Sequence, residues 1–307
     1  DWPALEHLSR VWHVAPTLWE RLRRANLSAL PDELVARLRQ GYTDNAQRNR
    51  LLWSGVVKIS TVLNDAGVTP MLLKGAAYIA DPPSGNPATR YMHDLDVMVA
   101  RDVSEHCFQM FRSSGWEDTP RGALVGHHWP TLADPVLGQD VELHKRPLKC
   151  GDDKLADDFL QESTEVRRDG IKFLLPAPHH RIAHNILNDQ VSIRGPLIES
   201  FDPRYLLEFC EHCISFDEAD WERAAAILRP YPMALACWAE VAQELMMVAP
   251  PIDCRTSLID RLPHVFIETD LRLLSILDPE KRLWTRETAL LHGVTIAAEN
   301  DAGNLEA

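Results

Sequence analysis

The sequence turns on Met71-Leu72-Leu73-Lys74-Gly75-Ala76, followed by Arg90 and then His93-Asp94-Leu95-Asp96-Val97-Met98-Val99. An apolar run reaches a Lys-Gly turn. A second apolar run then carries two aspartates at alternating positions. On a strand, residues i and i+2 point the same way, so Asp94 and Asp96 present both carboxylates on one face. Such a pair repels itself and is costly to desolvate unless a cation sits between the two groups. Mg²⁺ is typically held by one or two carboxylates together with substrate phosphates. The pattern therefore predicts a metal-dependent enzyme acting on a nucleoside triphosphate.

Further along, Gln139-Asp140-Val141-Glu142-Leu143-His144 alternates polar and apolar residues, as a half-buried strand does. Glu142 and His144 share one face of it. A glycine turn, an Asp-x-Asp strand and a later acidic strand together resemble the DNA polymerase beta nucleotidyltransferase superfamily. The sequence is more closely similar to an uncharacterised nucleotidyltransferase-like family that reads Leu-Lys-Gly, Arg, Asp-x-Asp and a strand ending in Leu-His. Here these are Leu73-Lys74-Gly75, Arg90, Asp94-Leu95-Asp96 and Glu142-Leu143-His144, and the looser match runs from about Trp2 to about residue 250. Three departures stand out. The turn has Gly75-Ala76 where the superfamily usually has Gly-Gly or Gly-Ser, so a hydroxyl is lost. The connection to Asp94 is lengthened by Asp81-Pro82-Pro83-Ser84-Gly85-Asn86-Pro87. The third carboxylate is Glu rather than Asp.

The resemblance implies a catalytic and metal-binding set of Asp94, Asp96 and Glu142, with Mg²⁺ or Mn²⁺ as the ion and an NTP, ATP in the first place, as substrate. Lys74, Gly75, Ala76 and Arg90 would hold nucleotide phosphates. Glycine permits close backbone approach, and N–H groups at a helix start favour anions. Arg90 has two readings, a fork on phosphate or a partner that keeps the aspartates ionised. Glu142 is either a metal ligand or the base for the acceptor hydroxyl, and His144 either orients it or contacts phosphate. A His on the first C-terminal helix, best matched by His184, and Arg204 on the next complete an expected substrate cleft with His144. Arg204 and Glu208 also suit an ordinary i,i+4 ion pair. His127 and His128 read as strand residues facing opposite ways, and so as poor joint ligands.

Composition sets the outer limits. At 307 residues with 45% hydrophobic and 25% charged content, the chain reads as soluble and globular, with room for two modest domains. No apolar run approaches the ~20 residues of a membrane span, and no secretory leader is evident. The net charge of −13 argues against a long nucleic-acid partner, which needs a basic face. Six scattered cysteines give no disulfide framework and point to a reduced, cytoplasmic location. Cys210 and Cys213 form a CxxC at helical spacing, which reads as two small core residues.

Periodicity predicts an α+β protein with a small mixed sheet of the polymerase-beta-like type. Residues 1–66 form a helical N-terminal segment, 67–176 the nucleotidyltransferase-like core, 177–299 a helical C-terminal domain and 300–307 a polar tail. Strands are expected at about 69–73, 94–99, 123–132 and 139–144, with a hairpin of Thr164–Arg168 and Ile171–Leu175 turning at Asp169-Gly170. Helices are expected at about 44–65, 104–114, 178–190, 203–214, 217–229, 231–248, 263–277 and 279–298. The expected activity is transfer of a nucleoside monophosphate to a hydroxyl of a small molecule or peptide. A non-catalytic nucleotide-binding or antitoxin-like module and a phosphotransferase are the alternatives.

Overall fold

A computed structural model describes residues 2–24, 30–119, 126–136, 138–149, 152–189 and 202–254. The helices expected at 263–277 and 279–298 lie outside the described residues. The chain divides into two units, Asp1–Ala177 and Pro178–Ala307.

The first unit is a mixed seven-stranded sheet with helices. Its elements are α1 (Trp2–Val11), α2 (Ala15–Leu22), α3 (Asp32–Asp65), β1 (Met71–Leu72), α4 (Lys74–Ala80), β2 (Asp94–Met98), α5 (Arg101–Ser113), β3 (Glu117–Asp118), β4 (Leu132–Ala133), β5 (Asp140–His144), α6 (Asp153–Gln161), β6 (Thr164–Arg168) and β7 (Ile171–Leu175). The strand order is β3-β4-β5-β2-β1-β7-β6. β2 runs parallel to β5 and antiparallel to β1, and β6 and β7 form the hairpin across Asp169-Gly170.

Alternation along the strands sorts the chemistry from the core. Leu95 and Val97 of β2 and Val141 and Leu143 of β5 enter one apolar core with Leu52, Val56, Ile59 and Leu63 of α3. Those four α3 residues recur at three- and four-residue steps, so one stripe of the helix covers that face of the sheet. Gly55 lies on the same stretch of α3, where a Cβ would strike Gln139 and Leu95. Fully burying each large aliphatic side chain is worth ~1.5–3 kcal/mol. The opposite face is only partly covered: Met98 packs with Met71, Leu73 and Phe159 of α6. Asp94 and Asp96, on Met98's side of β2, are left for other work.

The second unit, by itself, consists among the described residues of α7 (Pro178–Leu187), α8 (Pro203–Ser215), α9 (Glu218–Ile227) and α10 (Pro232–Met246). Asp202 and Asp217 cap α8 and α9 by accepting from backbone N–H groups. Phe209 packs edge-on against Trp221 at 5.3 Å and lies 6.4 Å from Trp238. Cys210 is buried and Cys213 half-buried, and burial pushes the Cys213 thiol far above its ordinary range. A buried and a half-buried free cysteine fit the core reading of the CxxC. Among the described residues, no helix is long and apolar enough to cross a membrane.

Candidate active site

The site is built where β1 ends and β2 and β5 run side by side. Asp96 lies directly across from Glu142, and Met98 from His144. Period-2 alternation puts Asp94, Asp96, Glu142 and His144 on the same sheet face. Leu73 follows β1 in extended conformation, its N–H bonded to the Asp96 carbonyl, and Lys74 then opens α4 with φ +42°. A non-glycine residue in that region is uncommon and strained. The turn directs Lys74 Nζ to 2.6 Å from Asp96 Oδ1.

The same Asp96 oxygen lies 2.9 Å from His144 Nε2, which is also 3.5 Å from Glu142 Oε2. Ligand atoms of Asp96, Glu142 and His144 all fall within 4.8 Å of one another, a spacing that one metal ion can bridge. Asp96 and His144 are 2% and 0% exposed, whereas Asp94 and Glu142 are half-buried and reachable.

The sequence matches the family described as uncharacterised nucleotidyltransferases over residues 1–246. The chain belongs to that family. The solution structure of the antibiotic-resistance factor ANT(2'')-Ia is similar with a TM-score of 0.42 at 12% identity, covering 62% of this chain and 95% of that one. A crystal structure of an antigenic nucleotidyltransferase-like protein from Paracoccidioides brasiliensis gives a TM-score of 0.35 at 17% identity, covering 64% and 93%. No curated protein matches the sequence.

The electrostatics of this nucleotidyltransferase fit a cation site. Burial and the neighbouring Asp96 charge push Asp94 up to about 6, against the pull of Lys74. Burial also works against an ionised Asp96, but the Lys74 charge and the His144 bond prevail and hold it far below the usual carboxylate range. Burial opposes a charged His144, yet its bonds to Asp96 and Glu142 raise it above the ordinary histidine value. Lys74 and His144 thus serve Asp96, while Lys74 only partly offsets burial and the Asp96 charge at Asp94. A divalent ion is the kind of group such a set of oxygens could hold.

The residues expected to bind phosphate are less simply arranged than the sequence suggests. Gly75 is buried, and a Cβ on it would come 2.7 Å from Arg90 Nη1 and 2.9 Å from Met92 Sδ. Its smallness therefore seats the Arg90 guanidinium, which also lies over the Tyr78 ring at 5.8 Å. Ala76 is buried in the core, so it offers its backbone alone. Two asparagines one turn apart on α3, absent from the sequence reading, hold Arg90's segment. Asn45 donates to the carbonyls of Ala88 and Arg90, and Asn49 to those of Pro87 and Arg90. Their i,i+4 spacing on a helix was a legible signal, but their targets were not.

His127 and His128 also differ from expectation. They lie in a turn and a single bridge opposite His144 rather than in a strand, so the alternation argument against them does not hold. Their rings stand 5.3 Å from that of His144. Burial pushes His127 down to about 3 and lowers His128, leaving both neutral at pH 7. In the second unit, His184 is buried on α7, and Arg204 forks the carboxylate of Asp202 with Nε at 2.9 Å from Oδ1.

Proposed function

We propose that the protein transfers a nucleoside monophosphate from an NTP, with ATP first, to a hydroxyl of a small molecule or peptide, using Mg²⁺ or Mn²⁺. The observation that carries this is the convergence of Asp96, Glu142 and His144 beside the strained Lys74 turn. Residues 67–176 act as the transferase core, flanked by the helical segment 1–66 and the helical region 177–299.

In this reading Asp94, Asp96 and Glu142 would hold the cation, which when bound would screen the triphosphate and lower the pKa of the attacking hydroxyl. Arg90 and Lys74, with the backbone at Gly75 and Ala76, orient the phosphates. The acceptor oxygen bonds to the α-phosphorus, the bond to the β-phosphate oxygen breaks, and pyrophosphate leaves with the electron pair. Glu142, half-buried and reachable, is either one of those ligands or the base that takes the hydroxyl proton. Positioning and charge stabilisation account for the rate. His184 and Arg204 are assigned to the acceptor on the family resemblance.

The test is incubation of the protein with α-labelled NTPs, Mn²⁺ or Mg²⁺ and a panel of hydroxyl acceptors, with products read by mass spectrometry. Nucleotidylated acceptor plus pyrophosphate is the expected result. Phosphorylated acceptor plus nucleoside diphosphate would make it a phosphotransferase, and metal-dependent nucleotide binding without product would make it a sensor.

A further inference from the structure

A lysine ammonium lies inside the acid cluster. Lys74 Nζ is 2.6 Å from Asp96 Oδ1, with the Lys74 side chain 17% and that of Asp96 3% exposed. Against the burial of all three carboxylates, the Lys74 charge favours the ionised forms of Asp94, Asp96 and Glu142. Its charge therefore acts on the whole set and not on Asp96 alone. The backbone is bent to place it there. Lys74 opens α4 at φ +42°, where a non-glycine residue is strained. A lysine that served only solubility would reach water without such a turn.

Position and charge both match those of a metal ion. Phosphoryl-transfer sites of the two-metal kind clamp the attacking and leaving oxygens between ions ~3.5–4 Å apart. Metal–oxygen bonds of Mg²⁺ are ~2.1 Å long. An ion at that distance from Asp96 Oδ1, on the side that Lys74 approaches, would overlap the ammonium at 2.6 Å. Lys74 thus closes one cation position. Charge points to the same count. Three carboxylates against one ammonium leave two negative charges, which one divalent ion cancels and a second would exceed.

We propose that the Lys74 ammonium takes the place of one ion of a two-metal transfer site, so that the protein works with a single divalent ion on the remaining oxygens of Asp94, Asp96 and Glu142. The inference rests on the proposed nucleotidyl transfer, and assigns one of its two cation positions to a residue of the chain. Fixed by Asp96, the ammonium offers the triphosphate a positive charge that does not depend on metal supply.

The experiment uses the full chain saturated with α,β-methylene-ATP, which cannot lose pyrophosphate, and titrated with MnCl₂ under electron paramagnetic resonance. Two Mn²⁺ ions ~3.5–4 Å apart couple their spins, whereas ions scattered over the acidic surface do not. The unaltered chain is expected to bind one ion at the site and to show no coupled pair. Lys74→Met, similar in length and without charge, is expected to bind two and to show the pair. Lys74→Gln is read in parallel, so the test stands if the methionine variant does not fold. A coupled pair in the unaltered chain overturns the assignment of Lys74 and leaves the metal site standing. A single uncoupled ion in the unaltered chain and in both folded variants also overturns it, since removing the ammonium then opens no position. Binding of no ion by any of them removes the metal-dependent reading as well.

Discussion

At the scale of single residues, the two aspartates of β2 have different duties despite sharing a face. Asp96 is buried against Lys74 and His144, whereas Asp94 carries the uncompensated charge. Removing one partner of a buried ion pair costs on the order of 3–5 kcal/mol. Asp96→Asn should therefore lower metal-free stability by an amount approaching that figure. Asp94→Asn should leave it unchanged or raise it, and both should lose turnover by at least ~100-fold. Denaturant melts and initial rates check this. The pH dependence follows from the raised value at Asp94. Burial and the Asp96 charge lift it from 3.8 to about 6. Below 3.8 the group is protonated in both folded and unfolded chains, and its stabilising difference is intact. That difference is lost as pH rises through about 6. Melts of wild type and Asp94→Asn without metal should therefore separate across that window, with the wild type falling relative to the variant. Equal slopes would sink the assignment. Gly75→Val belongs here too: its side chain would meet Arg90 and Met92, so calorimetry should show weaker nucleotide binding than Lys74→Ala causes. The sequence made the same-face acids legible because strand alternation is local. The Lys74–Asp96 contact was not legible, because it joins residues 22 positions apart through a strained turn.

Among the elements, α3 does two jobs with two parts of its length. Its C-terminal half buries the apolar stripe Leu52, Val56, Ile59 and Leu63, while Asn45 and Asn49 fasten the segment that carries Arg90. The apolar stripe was readable from 3.6-residue periodicity. The N-terminal half was not, since a polar helix face reads as solvated until its partner is known. Each asparagine satisfies two buried or half-buried carbonyls, and orphaning such groups costs about 1–3 kcal/mol. Asn45→Ala and Asn49→Ala should each destabilise by that order, and the double variant should cost more than the sum, because either asparagine alone still satisfies the Arg90 carbonyl. The KM for NTP should rise in step if Arg90 touches phosphate. An unchanged KM in a folded double variant would separate Arg90 from the nucleotide. The β6–β7 hairpin fell where Asp169-Gly170 placed it, since that dipeptide supplies the two positive φ angles the turn needs. The turn bearing His127 and His128 was misread because the run meets its neighbour in only one bridge, His128 to His144, which is too little pairing to extend into a strand. Helix α6 went unread although Asp152 caps it.

For the whole molecule the governing quantity is charge. Forty-five acidic residues against 32 basic ones leave −13 at pH 7. The fold concentrates acids further at Asp94, Asp96 and Glu142. A nucleic acid must displace counterions with many basic contacts, each adding ~0.9 to the slope of log affinity against log salt. An acidic chain forgoes that gain and repels the polyanion at long range. Under the proposed function a triphosphate would escape this penalty, because it would arrive with its own cation and meet local positive groups at Lys74 and Arg90. A small or cationic acceptor, such as an amino sugar or short peptide, is favoured by the same field. Anisotropy titrations with transfer RNA and with single-stranded DNA should therefore show no binding at micromolar protein and physiological salt. ATP with Mn²⁺ should bind with only shallow salt dependence. Micromolar binding of either nucleic acid, weakening steeply as salt rises, would reverse the small-acceptor reading and place the hydroxyl acceptor on a polynucleotide end.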